Sequence, residues 1–363
     1  MLQDNERIPS PQKPPGRIAL FGSGETSASG RRVYDWLLSQ LPLPIRVAIL
    51  ETPAGFQPNS AIVAGKVGDF LRHHLQNYGP QITVVPARQK GTPFSTNDDT
   101  VITPVLSVSV IFLGPGSPTY AVNQLQDSLA WHTVLACHRQ GATLVLASAA
   151  TIASSAQALP VYEIYKAGED LHWRPGLDLF RPYGLSLVFI SHWNNKEGGA
   201  ELDTSRCYMG QARFEKLLGM LPPDTTIVGI DEHTALVIDM HAKDCHIMGR
   251  GTVTLLRNGD EKHHSRGHTF PITELGPFQE VEPQSGIPPD IWQRVLSTRA
   301  EPAARAPEQL PDEILALVQS RENARTLGNW PLADTLRQQI FALGWQVNDT
   351  PHGPKLLPKD DRE

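Results

Sequence analysis

Five short apolar runs, at 17–22, 46–51, 82–86, 108–114 and 142–147, are nearly continuous and are bounded by glycine or proline. Runs of this length without polar alternation suit strands buried on both faces of a parallel sheet. Between them, 31–41, 59–77 and 120–139 carry apolar residues at helical spacing. The alternation predicts an α/β fold, a doubly wound and mainly parallel sheet with right-handed crossovers. Later strands are expected at 185–191, 226–230, 235–239, 246–248 and 252–256, the last four as antiparallel hairpins at a sheet edge.

With 363 residues the chain could hold two or three domains of roughly 100–200 residues each. Its prolines redraw that division. Pro283, Pro288, Pro289, Pro302 and Pro307 crowd the stretch 277–310, which reads as a Pro-rich linker after an α/β domain at 17–276. Beyond it, Ile314, Leu317, Val318, Ala324 and Leu327, then Ala333, Leu336 and Ile340, recur at helical spacing. Pro331 opens the second of these helices and Gly344 ends it, so 311–358 is expected to be a helical hairpin with a short extended end. Residues 1–16 lack the apolar stretch of a signal peptide and read as a disordered lead-in, and 359–363 as a short tail.

The net charge is −6 and the isoelectric point near 6.1, which offers no footprint for broad binding to nucleic acid or anionic membrane. No window approaches eighteen consecutive apolar residues, so no membrane-spanning helix is expected. Cys137, Cys207 and Cys245 have neither zinc nor disulfide spacing. A cytoplasmic protein without cofactor or metal is the expectation, with homodimerisation left open.

In doubly wound sheets the loops after the strands line the ligand crevice. Here they read GSGET, ETPAG, LGPGSP and LASAAT. The last, Leu146-Ala147-Ser148-Ala149-Ala150, places a lone hydroxyl at a strand-to-helix bend, the setting of a nucleophile elbow. It lacks the G-x-S-x-G form, and on local pattern alone Ser148 reads more readily as a helix N-cap. A base could come from His192, just after another strand run. Glu163 is a candidate for an orienting acid, with Glu169 and Asp170 as spares. Asp231, Glu232 and His233 are adjacent, but consecutive residues of an extended chain point to opposite faces, so a structural turn or supporting role is expected there rather than a metal site. GSGETS lacks the third glycine and the lysine of a phosphate loop.

In order, GSGE, ETPAGF, FLGPGSP, the Ser148 bend, His192-Trp193 and Gly229-Ile-Asp231-Glu232-His233-Thr234 resemble the cyanophycinase and dipeptidase E family of serine peptidases over about 17–258. The resemblance implies a fold of the class I glutamine-amidotransferase type, a Ser148 nucleophile, a His192 base and an acid that spacing after the serine puts at Glu163. It also implies an oxyanion hole from the amides of Gly116 and Ala149, and an acidic, peptide-like substrate held by Ser117, Arg206 and Arg213. Guanidinium–carboxylate pairing would be the physical reason for the arginines. Both glycines of the family elbow are replaced here, by Leu146 and Ala150. The alternative expectation is therefore a catalytically degenerate binding or adaptor protein.

The segments Arg321-Glu-Asn-Ala-Arg325, Asn329-Trp330, Ala333-Asp334, Leu336-Arg337 and Asp349-Thr-Pro-His-Gly353 resemble the C-terminal tRNA-contacting module of cysteinyl-tRNA synthetases over about 311–358. No HIGH or KMSKS signature accompanies them, so aminoacylation is not implied. The near balance of charge in this window predicts at most a weak contact with tRNA or a protein, with Trp330 and Trp345 as packing residues.

Overall fold

The computed structural model describes residues 13–300, 312–350 and 353–358. Most of the expected lead-in, the segment 301–311 and the tail 359–363 lie outside the described residues.

The five runs form β1 (Ile18–Phe21), β2 (Arg46–Leu50), β3 (Gln81–Val85), β4 (Val110–Leu113) and β5 (Thr143–Ala147). They pair in parallel in the order β1-β5-β4-β2-β3. Successive side chains enter opposite cores. Ile18, Leu20, Leu144 and Leu146 pack on one face, with Ala19, Phe21, Val145 and Ala147 on the other. Helices Ala28–Leu38 and Ser60–His74 cover the second face through Val33, Leu37, Val67 and Leu71. The expected helix at 120–139 is two, Pro118–Leu125 and Leu129–Arg139. Asp127, at φ 53°, breaks it, and the Ser128 hydroxyl accepts from Trp131 N at 3.1 Å to start the second.

A two-residue pairing of β6 (Gln157–Ala158) with β7 (Arg174–Pro175) precedes β8 (Leu187–Ile190), β9 (Thr226–Ile230), β10 (Thr234–Asp239), β11 (Asp244–Gly249), β12 (Thr252–Arg257), β13 (Asp260–Ser265) and β14 (Thr269–Pro271). Among the described residues, β10, β11 and β14 extend the parallel strands antiparallel beyond β1 into an eight-stranded sheet, while β8, β9, β12 and β13 make a second sheet of four. The expected edge hairpins are therefore redistributed. β10 is an interior strand between β1 and β11, buried at all six positions, and β9 belongs to the other sheet. The turn between them, Asp231 to His233, carries the chain from one sheet to the other.

The stretch read as a linker is, as far as residue 300, part of the domain. Phe278 stacks on Tyr183, with ring centroids 6.0 Å apart, and Arg139 donates to the carbonyls of Glu282 and Pro283. Helix Pro289–Ala300 buries Ile291, Trp292 and Val295 in the core. Arg299 donates to the carbonyls of Leu106 and Val108. Proline stiffens this segment without freeing it. The C-terminal part holds helices Asp312–Thr326 and Trp330–Ala342, and the expected extended end is a hairpin of β15 (Trp345–Thr350) and β16 (Gly353–Pro358). Among the described residues no helix is long and apolar enough to cross a membrane.

Candidate active site

Ser148 follows β5 at φ 51° and ψ −106°, a conformation that L-residues rarely occupy. It does not cap the helix Ala149–Ala153 that it begins. The bend is held from beside: Ser148 N donates to Phe21 O at 3.1 Å, and the Thr151 hydroxyl reaches both Phe21 O, at 2.9 Å, and Leu146 O, at 3.0 Å. Leu146 and Ala150, where the family has glycines, are absorbed in the core at 1% and 3% exposure. The altered elbow is thus compatible with the strained serine.

Parallel pairing of β8 with β9 sets Ile190 opposite Gly229, so residues just past each strand become neighbours. Those residues are His192 and Glu232. Ser148 Oγ lies 2.9 Å from His192 Nε2, and His192 Nδ1 lies 2.8 Å from Glu232 Oε1. Asn195 donates to the same carboxylate oxygen at 2.9 Å, and Glu232 N donates to Asn194 Oδ1. Hydrogen bonding from His192 and then Asn195, with the positive fields of His192 and His233, outweighs burial and holds the Glu232 carboxyl down at about 2. With the Nδ1 proton directed at an ionised Glu232, Nε2 is left to accept from the serine hydroxyl. His192 itself is at φ 52°, fixed by His192 N to Gly22 O and by Cys207 N to His192 O. Its neighbour Trp193 lies over Gly229, where a Cβ would stand 2.3 Å from the indole.

The acid expected at Glu163 is therefore corrected. Glu163 lies in the helix Val161–Tyr165, half-buried with Oε2 unpaired, and the carboxylate on His192 is Glu232. Spacing along the chain after a serine says little about neighbours in space. The pairing of two parallel strand ends says more.

Gly116 and Ala149 both border the cleft beside Ser148. The Ala149 amide is at the first helical position, where no intrahelical acceptor exists. Gly116 rests on the turn Thr52–Ala54: a Cβ there would stand 1.9 Å from Pro53 O. Glu51 anchors that turn, buried and bonded to the Ser60 hydroxyl and Arg88, each at 2.7 Å. ETPAG thus positions LGPGSP from beneath.

Three residues expected to bind substrate do other work. The Ser117 hydroxyl accepts from Tyr120 N at 3.1 Å as a helix cap. Arg213 donates to the carbonyls of Met209, at 2.6 Å, and Tyr208, at 2.5 Å. The Arg206 guanidinium stacks 4.3 Å above the Trp193 ring. None of the three borders the cleft of about 320 Å³ in front of Ser148, whose walls instead include Tyr162, Tyr165, Lys166, Glu197 and Tyr208. Glu25, from the loop after β1, is another group the sequence reading passed over. Burial raises its carboxyl, while its own backbone amide and the fields of His192 and His233 pull the other way. Cys207 also borders the cleft, but burial pushes its thiol up to about 12, which leaves it unreactive.

No protein-family model matches this chain. Cysteine–tRNA ligases of Methanosarcina mazei and Chlamydia pneumoniae are 34% identical over 71 residues and 47% identical over 49, which is 20% and 14% of this chain. The chain spans 15% and 10% of those enzymes, and the likeness falls on its C-terminal segment. A solved structure of a peptidase from an acI-B1 actinobacterium superposes with a TM-score of 0.56 at 20% identity, covering 71% of this chain and 97% of that one. At that identity the likeness establishes the fold: the α/β part of this chain has the architecture of a peptidase.

Proposed function

We propose that the α/β domain is a serine hydrolase that cleaves a peptide or isopeptide bond through an acyl-enzyme. The observation that carries this reading is the unbroken relay from the Ser148 hydroxyl through His192 to Glu232, at 2.9 and 2.8 Å, opening on a cleft. His192 Nε2 takes the Ser148 proton as Oγ adds to the amide carbonyl. Amides of Gly116 and Ala149 receive the developing oxyanion, and His192 returns the proton to the leaving amine. Water then attacks the ester with the same base, releasing the acid and restoring the serine. Both strained backbones, at Ser148 and His192, fall where strain is usually functional. The degenerate adaptor is disfavoured, because a relay without chemistry would have no need of these geometries. Incubating the protein with a defined peptide mixture and reading products by mass spectrometry tests the reading: cleavage by wild type and none by Ser148→Ala is expected, and identical products from both would refute it.

The C-terminal likeness supports a second reading, a weak contact of the tail with tRNA. Arg321, one of the motif cations, is 2% exposed and clamps Asp349 through two bonds of 2.8 Å, and Arg325 Nη1 lies 3.0 Å from the same carboxylate. Much of the positive charge is thus spent inside the module, which keeps the attraction for phosphate weak. A tRNA gel shift with the full chain, against a chain ending at Ala300, tests it. A shift seen only with the full chain is expected, and equal mobility in both would remove it.

A further inference from the structure

We propose, resting on the hydrolase reading, that the cleft selects a peptide carrying an aromatic or large aliphatic side chain beside the scissile bond, and not an acidic one. A carboxylate-reading pocket needs a guanidinium or ammonium turned into it with free donors. Arg213 has two of its nitrogens on the carbonyls of Met209 and Tyr208, and Arg206 sits over the Trp193 ring and does not line the cleft. The cleft that Ser148 opens on is lined instead by Ile152, Val161, Tyr162, Tyr165 and Tyr208, among others.

Two of these rings, Tyr165 and Tyr208, are held in place. Tyr165 packs on Tyr208, with centroids 5.1 Å apart, and Tyr208 Oη donates to Glu197 at 2.9 Å. Tyr208 also lies 6.2 Å from the His192 ring, so a side chain seated on it sits beside the reacting groups. Aromatic walls offer dispersion and apolar contact to a ring or branched chain. A carboxylate there would lose water and gain nothing in return except Lys166. That ammonium is the one cation lining the cleft among the described residues, and it is exposed, so water screens it. Glu197, on the same cleft, opposes a second negative charge.

Two matched series of short peptides, differing only in Phe, Leu or Asp on either side of the scissile bond, decide the matter by kcat/KM with the full-length protein. Competition by the corresponding peptide aldehydes against fluorophosphonate labelling gives a second readout. The expected result is at least about ten-fold preference for Phe or Leu over Asp on one side, the order expected from one well-filled apolar subsite. Tyr165→Ala should reduce that ratio, and Arg206→Gln should leave it unchanged. An Asp preference in a protein that labels and cleaves would overturn the specificity while leaving the hydrolase reading intact. Absence of both labelling and cleavage would overturn the hydrolase reading and the specificity with it.

Discussion

Glu232 and Glu163 make different demands on experiment. Glu232→Gln keeps the size of the side chain but removes the charge that, in the proposed relay, orients and stabilises the imidazolium, and should lower kcat by roughly 10²–10⁴-fold. Glu163→Gln, off the relay, should change it less than about three-fold. Steady-state kinetics on the two variants separates these outcomes. The Glu232 carboxyl is also a stability element. Its folded value, about 2, lies below the ordinary 4.5, so its contribution is fully present above 4.5 and is lost as the pH falls toward 2. The difference in melting temperature between wild type and Glu232→Gln should therefore shrink over that interval, and thermal melts at neutral and acid pH would show it. Ser148 and His192 could be singled out from sequence because each is a polar residue just past a buried run. Glu232 satisfies the same criterion after β9, yet it stands 40 residues from His192, and only the pairing of β8 with β9 makes them neighbours.

The loop Gly114 to Ser117 and the turn beneath it act as one piece. Gly116→Ala would drive a methyl into Pro53 O, where a Cβ has 1.9 Å, and displace the amide proposed to receive the oxyanion. A fall in kcat of about 10²-fold is expected, the usual effect of losing one such donor. Gly65→Ala, in the helix Ser60–His74 with open space around it, is the control and should be neutral or stabilising by up to about 1 kcal/mol. Parallel strands were legible because burial on two faces writes itself as continuous apolar runs, and helices because one buried face writes itself as helical spacing. The break at Asp127 and the placing of β10 inside the sheet were not, since neither follows from local periodicity. In the C-terminal module, Arg321 and Asp349 explain a motif that reads as surface charge but is an internal clamp between the helix Asp312–Thr326 and β15. Arg321→Ala leaves Asp349, which is part-exposed, with Arg325 alone and should cost that module about 1–3 kcal/mol, measured as loss of hydrogen-exchange protection in 312–350.

Across the whole molecule, the prolines at 277–300 proved to mark a strap closing the core, where composition alone suggested a free linker. The strap buries Trp292, at 4% exposure, in the core that also holds Ile18, Leu20 and Leu144, and its helix packs on the helix Leu129–Arg139. Trp292→Ala should destabilise the domain by about 3–5 kcal/mol in denaturant melts, as core truncations of this size do. A free linker would show no such loss. The fold that results is shared with a peptidase, while the proposed chemistry rests on side chains meeting at strand ends. Fluorophosphonate labelling with peptide mapping reads that meeting at a single atom. The account predicts one adduct, on Ser148, that is slowed strongly in His192→Ala and Glu232→Gln and absent in Ser148→Ala; a folded wild-type protein that acquires no adduct, or acquires it elsewhere, would contradict it.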